Sequence, residues 1–184
     1  KEVETLTFPE VDSCCLPNGI PLYIIDRGDQ ELSRVDILFS AGKVQERQPL
    51  TAKFTAAMLR EGASGLSSAY IAEKLDYYGA TLQTLATQRN TYITLYSANR
   101  YFFDILPLLC KLVVSPDFPE EEFRTLKERN RQALSVDLMK VNVLASRIFS
   151  EQLFGAENPY GKSEQLADYD TLTTAHLREF HSRY

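Results

Sequence analysis

Several features that would point to a particular function are scarce or missing in this sequence. It contains only two histidines, His176 and His181, and no apolar run approaches the ~20 residues of a membrane-spanning helix. The three cysteines form no Cys-x-x-Cys spacing and no disulfide framework, so they indicate no redox compartment. A net charge of −5 argues against nucleic-acid binding, which requires a basic face.

The composition is that of an ordinary globular domain. Hydrophobic residues make up 44% of the chain and charged residues 24%, and 184 residues can bury a substantial core. We find no internal repeat and no linker, so residues 1–184 are predicted to form a single domain. Because there is no initiator Met at Lys1, we expect a processed form or a fragment of a longer chain.

The order of predicted strands and helices indicates the fold class. Alternating apolar residues predict strands at 21–25, 34–40, 80–87 and 91–97, with the turn at 16–20 before the first and a loop like that of a hairpin at 26–30. Helical periodicity and capping residues predict helices at 50–60, 67–78, 101–114, 119–138, 141–154 and from Thr173 or Thr174 to Arg183. Gly62, Gly79 and Gly155 are expected to end three of these helices. Paired strands followed by paired helices predict an α+β fold, with a mostly antiparallel sheet and helices packed on one face.

Several short motifs occur in the order found in one family. They are LPNG at 16–19, FSAG at 39–42 followed by Glu46 and Arg47, MLREG at 58–62, LDYYGATL at 75–82, FPEEEF at 118–123, LFG at 153–155, NPYG at 158–161 and FHSRY at 180–184. Together the chain resembles the N-terminal half of a pitrilysin/insulinase-type zinc peptidase, a group that includes the mitochondrial processing peptidases. The resemblance implies a LuxS/processing-peptidase-like metallohydrolase half-domain, with a second half expected beyond Tyr184.

The resemblance also locates the position where catalysis would occur. Active members of the family carry H-x-x-E-H on a helix, where two histidines bind zinc and the glutamate acts as general base. Alignment places Lys53 and Ala57 at the two histidines and Ala56 at the glutamate, while Ala133 falls at the third ligand. Alanine has no donor atom and a lysine ammonium repels a divalent cation. We therefore predict no zinc, no other metal, no cofactor and no catalytic residue.

Two other groups of residues are candidates for a site. His176 and His181 are five residues apart on a predicted helix, which places their rings roughly 140° apart, so they cannot share a metal. In the family that the chain resembles, an edge strand near the metal helix holds extended peptide by β-augmentation, and we expect such an edge in the hairpin at 80–97, which contains Tyr92 and Tyr96. Core packing is the alternative role for either tyrosine.

Three functions follow from these observations. The first is a non-catalytic homologue that closes a chamber and grips extended peptide, paired with a second half-domain of the same chain and with an active zinc peptidase subunit or another copy of itself. The second is a purely structural subunit that does not handle peptide. A concave polar wall would favour the first and a filled interior the second. An unrecognised enzyme is the third, and no group of residues supports it.

Overall fold

The computed structural model describes residues 9–184, which form two compact units, one ending at Glu31 and one spanning Leu32–Tyr184. The first unit contains an antiparallel hairpin of β1 (Asp12–Cys15) and β2 (Pro21–Ile24). Its turn is the predicted one, where the Gly19 N–H donates to the Leu16 carbonyl at 2.8 Å. The loop at 26–30, predicted to be like that of a hairpin, does not join two paired strands, because β2 pairs with β1 and β3 pairs with β7.

The second unit is built on a three-stranded antiparallel sheet. Its strands are β3 (Leu32–Phe39), β6 (Thr81–Ala86) and β7 (Thr91–Ala98), in the order β3-β7-β6. A separate two-residue hairpin joins β4 (Gly62–Ala63) to β5 (Leu66–Ser67). The strands predicted at 34–40, 80–87 and 91–97 are confirmed, and β7 is the middle strand.

Seven helices occur within residues 9–184: α1 (Thr51–Met58), α2 (Ser68–Tyr77), α3 (Phe102–Val114), α4 (Glu120–Asp137), α5 (Val141–Phe154), α6 (Leu166–Thr171) and α7 (Thr174–Arg183). Six were predicted from the sequence with nearly these bounds. The six-residue α6 was missed because it is too short to show a helical period. Among the described residues, no helix combines the length and the hydrophobicity that crossing a membrane requires.

The helices pack on one face of the sheet, as predicted for the α+β class. One core joins the inner side of β6 and β7 to α2 and α3 through buried residues that include Leu82, Ile93 and Leu109. The other joins α1, α4, α6 and α7 around Phe54, whose ring meets those of Phe123 and Tyr169 edge to face at 5.8 and 5.9 Å. The first core holds the sheet against α2 and α3. The second core holds α1 against α4, α6 and α7.

Gly62 has a different role from the predicted one. It does not end α1, which stops at Met58, but lies in β4 against Pro119. A Cβ atom on Gly62 would come within 3.2 Å of the Pro119 Cγ atom. The glycine therefore allows close packing, whereas Gly79 and Gly155 do follow their helices with positive φ angles of 59° and 91°.

Candidate functional site

The four positions that the motif alignment assigns to zinc chemistry hold side chains that do not fit the metal. The Lys53 Nζ atom forms an ion pair with the Glu164 Oε2 atom at 3.0 Å. Ala56 is 2% exposed, and Ala57 packs against the core around Phe54. Ala133 is exposed on α4. None of the four offers an oxygen, sulfur or imidazole ligand, and no step through zinc can be derived for this helix.

The rest of the described chain offers no substitute ligand set. Within residues 9–184, no three His, Cys, Asp or Glu side chains group closely enough to hold a metal ion. His176 and His181 lie apart, since the Nδ1 atom of His176 is 3.2 Å from the Thr173 backbone nitrogen and the Nε2 atom of His181 is 2.7 Å from the Val113 carbonyl oxygen. Each histidine therefore has its own structural partner.

We predict that the purified chain retains no stoichiometric zinc. The physical reason is that Lys53, Ala56 and Ala57 supply no ligand, so metal carried through purification has no closed site to occupy. Elemental analysis after incubation with equimolar zinc and dialysis against zinc-free buffer measures this directly. One zinc per chain that survives dialysis would contradict the alignment of α1 with the metal-binding helix.

A cleft of about 660 Å³ lies beside the N-terminal end of α1. It is bounded by the segment after β3, the first turn of α1, the end of β6 and the segment that includes residues 157–168. We call it the polar cleft, and the residues that define it are Lys43, Glu46, Lys53, Gln88, Glu164 and Asp168. Cationic and anionic side chains both line its wall, so it is not a site for a ligand of one simple charge.

Glu46 links the polar cleft to the start of α1. Its carboxylate accepts hydrogen bonds from the backbone N–H groups of Ala52 at 2.7 Å and Leu50 at 3.2 Å, which otherwise lack partners at a helix N-terminus. These bonds fix Leu50 in the left-handed region, with a φ of 72°. Burial of the side chain raises the pKa of Glu46 to about 7.

Three cationic side chains hold the segment at 162–164 against the rest of the site. Lys43 donates from Nζ to the Lys162 carbonyl, and Arg147 donates to the Glu164 carbonyl at 2.6 Å. Lys53 binds the Glu164 carboxylate from the other side. Burial lowers the pKa of Lys43. Lys53, which the motif alignment places at a metal-ligand position, thus joins α1 to a neighbouring segment.

The Lys53–Glu164 ion pair is predicted to contribute little stability. The two side chains are 43% and 30% exposed, so solvent screens the attraction. We expect K53A to lower the free energy of unfolding by less than about 1 kcal/mol. A double-mutant cycle of K53A and E164A, followed by urea unfolding, measures the coupling, and a value of several kcal/mol would show that the pair is a structural requirement.

The structure corrects the expected position of the two tyrosines. Tyr92 and Tyr96 lie on the middle strand β7 and not on an edge, and both point to the sheet face opposite the helices. Tyr92 stands between Leu38 of β3 and Leu85 of β6, and all three side chains are exposed. We call these three residues the apolar row. Tyr96 lies under the Arg34 guanidinium, whose Cζ atom is 5.2 Å from the ring centroid.

The edge strand of the hairpin at 80–97 is β6. Within residues 32–184, β6 pairs with β7 on one side and with no strand on the other. Just beyond β6, the Thr87 and Gln88 carbonyls accept hydrogen bonds from the N–H groups of Lys43 and Val44. The free edge of β6 therefore runs up to the polar cleft.

Comparison with known proteins places this architecture in a defined fold. No model of a known family matches the sequence, and no curated protein matches it. Among solved structures, the chain is similar to the peptidase M16 inactive domain from Pseudomonas fluorescens, with 23% identity, a TM-score of 0.88 and coverage of 94% of this chain and 43% of that one. It is also similar to a protease from Helicobacter pylori, with 16% identity, a TM-score of 0.78 and coverage of 96% and 44%.

The chain therefore has the fold of a half-domain of the M16, or pitrilysin, peptidases, which confirms the resemblance drawn from its motifs. The P. fluorescens structure is itself that of an inactive domain. The chain spans less than half the length of either solved chain.

Proposed function

We propose that this chain is a non-catalytic half of a two-half or heterodimeric M16-type peptidase assembly. In this role the chain holds extended peptide and does not cleave it. Residues 1–184 would then act as one half-domain, paired with a second one. The observation that carries the proposal is that β6 has no neighbouring strand on one side in the described part of the chain, while Lys53, Ala56 and Ala57 of α1 offer no metal ligand. The P. fluorescens structure, an inactive domain of the same fold, supports the same assignment.

The polar cleft favours peptide handling over a purely structural role. A structural subunit needs a filled interior, whereas here about 660 Å³ stays open beside α1. Gln88 lines this cleft, and its Oε1 atom is buried without a hydrogen-bond partner among residues 9–184. A buried acceptor without a partner costs free energy, and rotation of the Gln88 side chain towards the cleft would let it accept a hydrogen bond from a bound peptide.

The edge of β6 is where an extended peptide would bind, as an additional strand of the sheet. An extended peptide that pairs with β6 forms main-chain hydrogen bonds, and alternate side chains project to the same face as Leu85. There the peptide would extend the apolar row of Leu38, Tyr92 and Leu85 by one more side chain. The proposal therefore specifies peptides with an apolar residue at alternate positions.

Fluorescence anisotropy with a labelled, unstructured peptide of alternating apolar and polar residues tests this proposal. We expect L85K to weaken binding by about 10-fold, because it replaces an apolar cross-strand contact with a charge. T81K, at the far end of the same strand face, is the matched control and should change the affinity little. A peptide N-methylated at alternate residues should lose binding because it cannot form the main-chain ladder.

Two results would reject the peptide-holding role. One is the absence of saturable binding by the wild-type chain, which favours the structural subunit. The other is binding that L85K and N-methylation leave unchanged. Peptidase assays of the chain alone and with co-purified partners complete the test, since we expect no cleavage by the chain alone.

A further inference from the structure

The polar cleft continues into a smaller recess that is rich in cationic and hydroxyl-bearing residues. The recess has a volume of about 240 Å³. The residues that line both spaces are Lys43, Gln88, Lys162, Ser163 and Glu164. Those that line the recess alone are Ser146, Arg147, Ser150 and Tyr160. We call it the cationic recess, and the residues that define it are Lys43, Arg147 and Lys162.

The three cations of the recess have no anionic partner among the described residues. Within residues 9–184, none of Lys43, Arg147 and Lys162 forms an ion pair. Glu164 is the acidic residue that lines the recess, and its carboxylate is bound to Lys53 at 3.0 Å. Lys43 and Arg147 each donate to a backbone carbonyl, which neutralises no charge, and both have further N–H groups. The recess therefore has an excess of positive charge, in a chain whose net charge is −5.

The three positive charges are close enough to affect one another. Burial lowers the pKa of Lys43, and the charges of Lys162 and Arg147 lower it further. The carboxylates of Glu46 and Glu164 act in the opposite direction without cancelling this effect. Like charges that are held together repel, and an anion bound between them would relieve the repulsion. A carboxylate suits the recess, because it accepts strong charge-assisted hydrogen bonds from lysine and arginine side chains.

The cationic recess lies beside the end of the β6 edge. The carbonyls of Thr87 and Gln88, directly after β6, accept hydrogen bonds from the N–H groups of Lys43 and Val44. A peptide paired with β6 therefore meets the segment at 43–44 where it leaves the strand. Lys43 and Gln88 line both the polar cleft and the cationic recess, so the part of the peptide beyond the paired segment enters the space that these two sites share.

We propose that the cationic recess binds a carboxylate of the peptide that pairs with β6, so that the chain prefers peptides with an acidic group beyond the paired segment. This preference rests on the proposed function, because the same peptide must lie along β6. An Asp or Glu side chain and a free C-terminus both supply a carboxylate. A peptide antiparallel to β6 brings its N-terminal side to this end of the strand, and a parallel one brings its C-terminal side.

Fluorescence anisotropy with a set of labelled peptides of about eight residues tests this preference. All of them contain the same segment of alternating apolar and polar residues and have blocked ends. One carries Asp before the segment and another carries Asp after it, and Asn replaces Asp in the matched neutral peptides. A further peptide has no Asp but a free C-terminal carboxylate. We expect at least one carboxylate peptide to bind about 5-fold more tightly than its neutral counterpart, as for a partly exposed ion pair.

The variant K162E should abolish the gain in affinity that the carboxylate gives. Lys162 is exposed and forms no ion pair within residues 9–184, so the fold should be retained, and circular dichroism checks this. The affinity for the neutral peptides should change by less than about 2-fold, because they bind through main-chain hydrogen bonds to β6. K111E on α3 makes the same change of charge outside the recess and should preserve the gain.

Three results would overturn the carboxylate site. The first is that no carboxylate peptide binds more tightly than its neutral counterpart, which leaves the pairing with β6 intact if the neutral peptides bind. The second is that K162E weakens neutral and acidic peptides by the same factor, and the third is that K111E removes as much of the gain as K162E. If only the acidic peptides bind and K162E abolishes that binding, the recess is upheld and the pairing with β6 is rejected. The absence of binding by every peptide rejects both.

Discussion

Replacement of Gly42 by alanine is expected to destabilise the chain by about 3 kcal/mol or more, the upper end of the range for an inserted methyl group. A Cβ atom at this position would lie 2.6 Å from both the Cα and the N atoms of Arg89, at the turn between β6 and β7. Neither atom can move without breaking the hairpin. Urea unfolding of G42A and of the wild-type chain measures the loss.

The clash at Gly42 matters because the loop it belongs to forms one wall of the polar cleft. The N–H groups of Lys43 and Val44 are bonded to the Thr87 and Gln88 carbonyls at 3.0 and 2.8 Å, so loop and turn are a single unit. G79A is the matched control: its Cβ atom meets nothing within 4 Å, and only the φ of 59° is strained, at a cost of about 1 kcal/mol. Equal losses in G42A and G79A would refute the steric argument.

The stability of the chain is expected to fall as the pH rises through the range where Glu46 titrates. Burial raises the pKa of Glu46 in the folded chain to about 7, from an ordinary value of 4.5. Below about pH 4.5 both states hold the proton, so the residue contributes nothing. Between the two pKa values the unfolded chain releases the proton and the folded chain keeps it. Stability is therefore lost progressively, by about 3 kcal/mol above pH 7.

The variant E46Q isolates this effect from other titrating groups. The amide cannot ionise, although it gives up one of the two hydrogen bonds to α1, which is a loss that does not depend on pH. The difference in unfolding free energy between E46Q and wild type should move by about 3 kcal/mol in favour of E46Q as the pH rises from about 4.5 to above 7. A constant difference would mean that the carboxylate is ionised and well solvated at neutral pH.

The segments that the sequence predicted correctly are those whose secondary structure depends on neighbouring residues in the chain. Helix α5 has the predicted bounds because Gly155 adopts a positive φ directly after it, and Ser67 caps α2 by accepting the Tyr70 N–H at 3.3 Å. The alternation of Thr, Tyr and Ile in 91–97 specified β7 in the same way. The motif alignment that assigns Lys53, Ala56 and Ala57 to the metal-binding positions also needs only residue identities, and that assignment stays a prediction.

Features that depend on contacts between distant residues could not be predicted from local sequence. Strand β2 pairs with β1, and strand propensity cannot predict this because other strands have a similar propensity. The position of Tyr92 on the middle strand depends on β3, which lies more than fifty residues earlier. The role of Glu46 was missed because nothing in its local sequence indicates that the side chain is buried against α1.

By itself, the sequence determined which chemical groups stand on α1: one ammonium and two methyl groups, at the positions that the motif alignment assigns to the donor atoms of a zinc peptidase. That is a property of single residues and does not depend on folding. Only the tertiary structure decided that Lys53 binds Glu164, that β6 has a free edge beside a polar cleft, and that three cationic side chains line one recess. Burial, strand order and exposure are set by the whole packed chain, and no local stretch contains them.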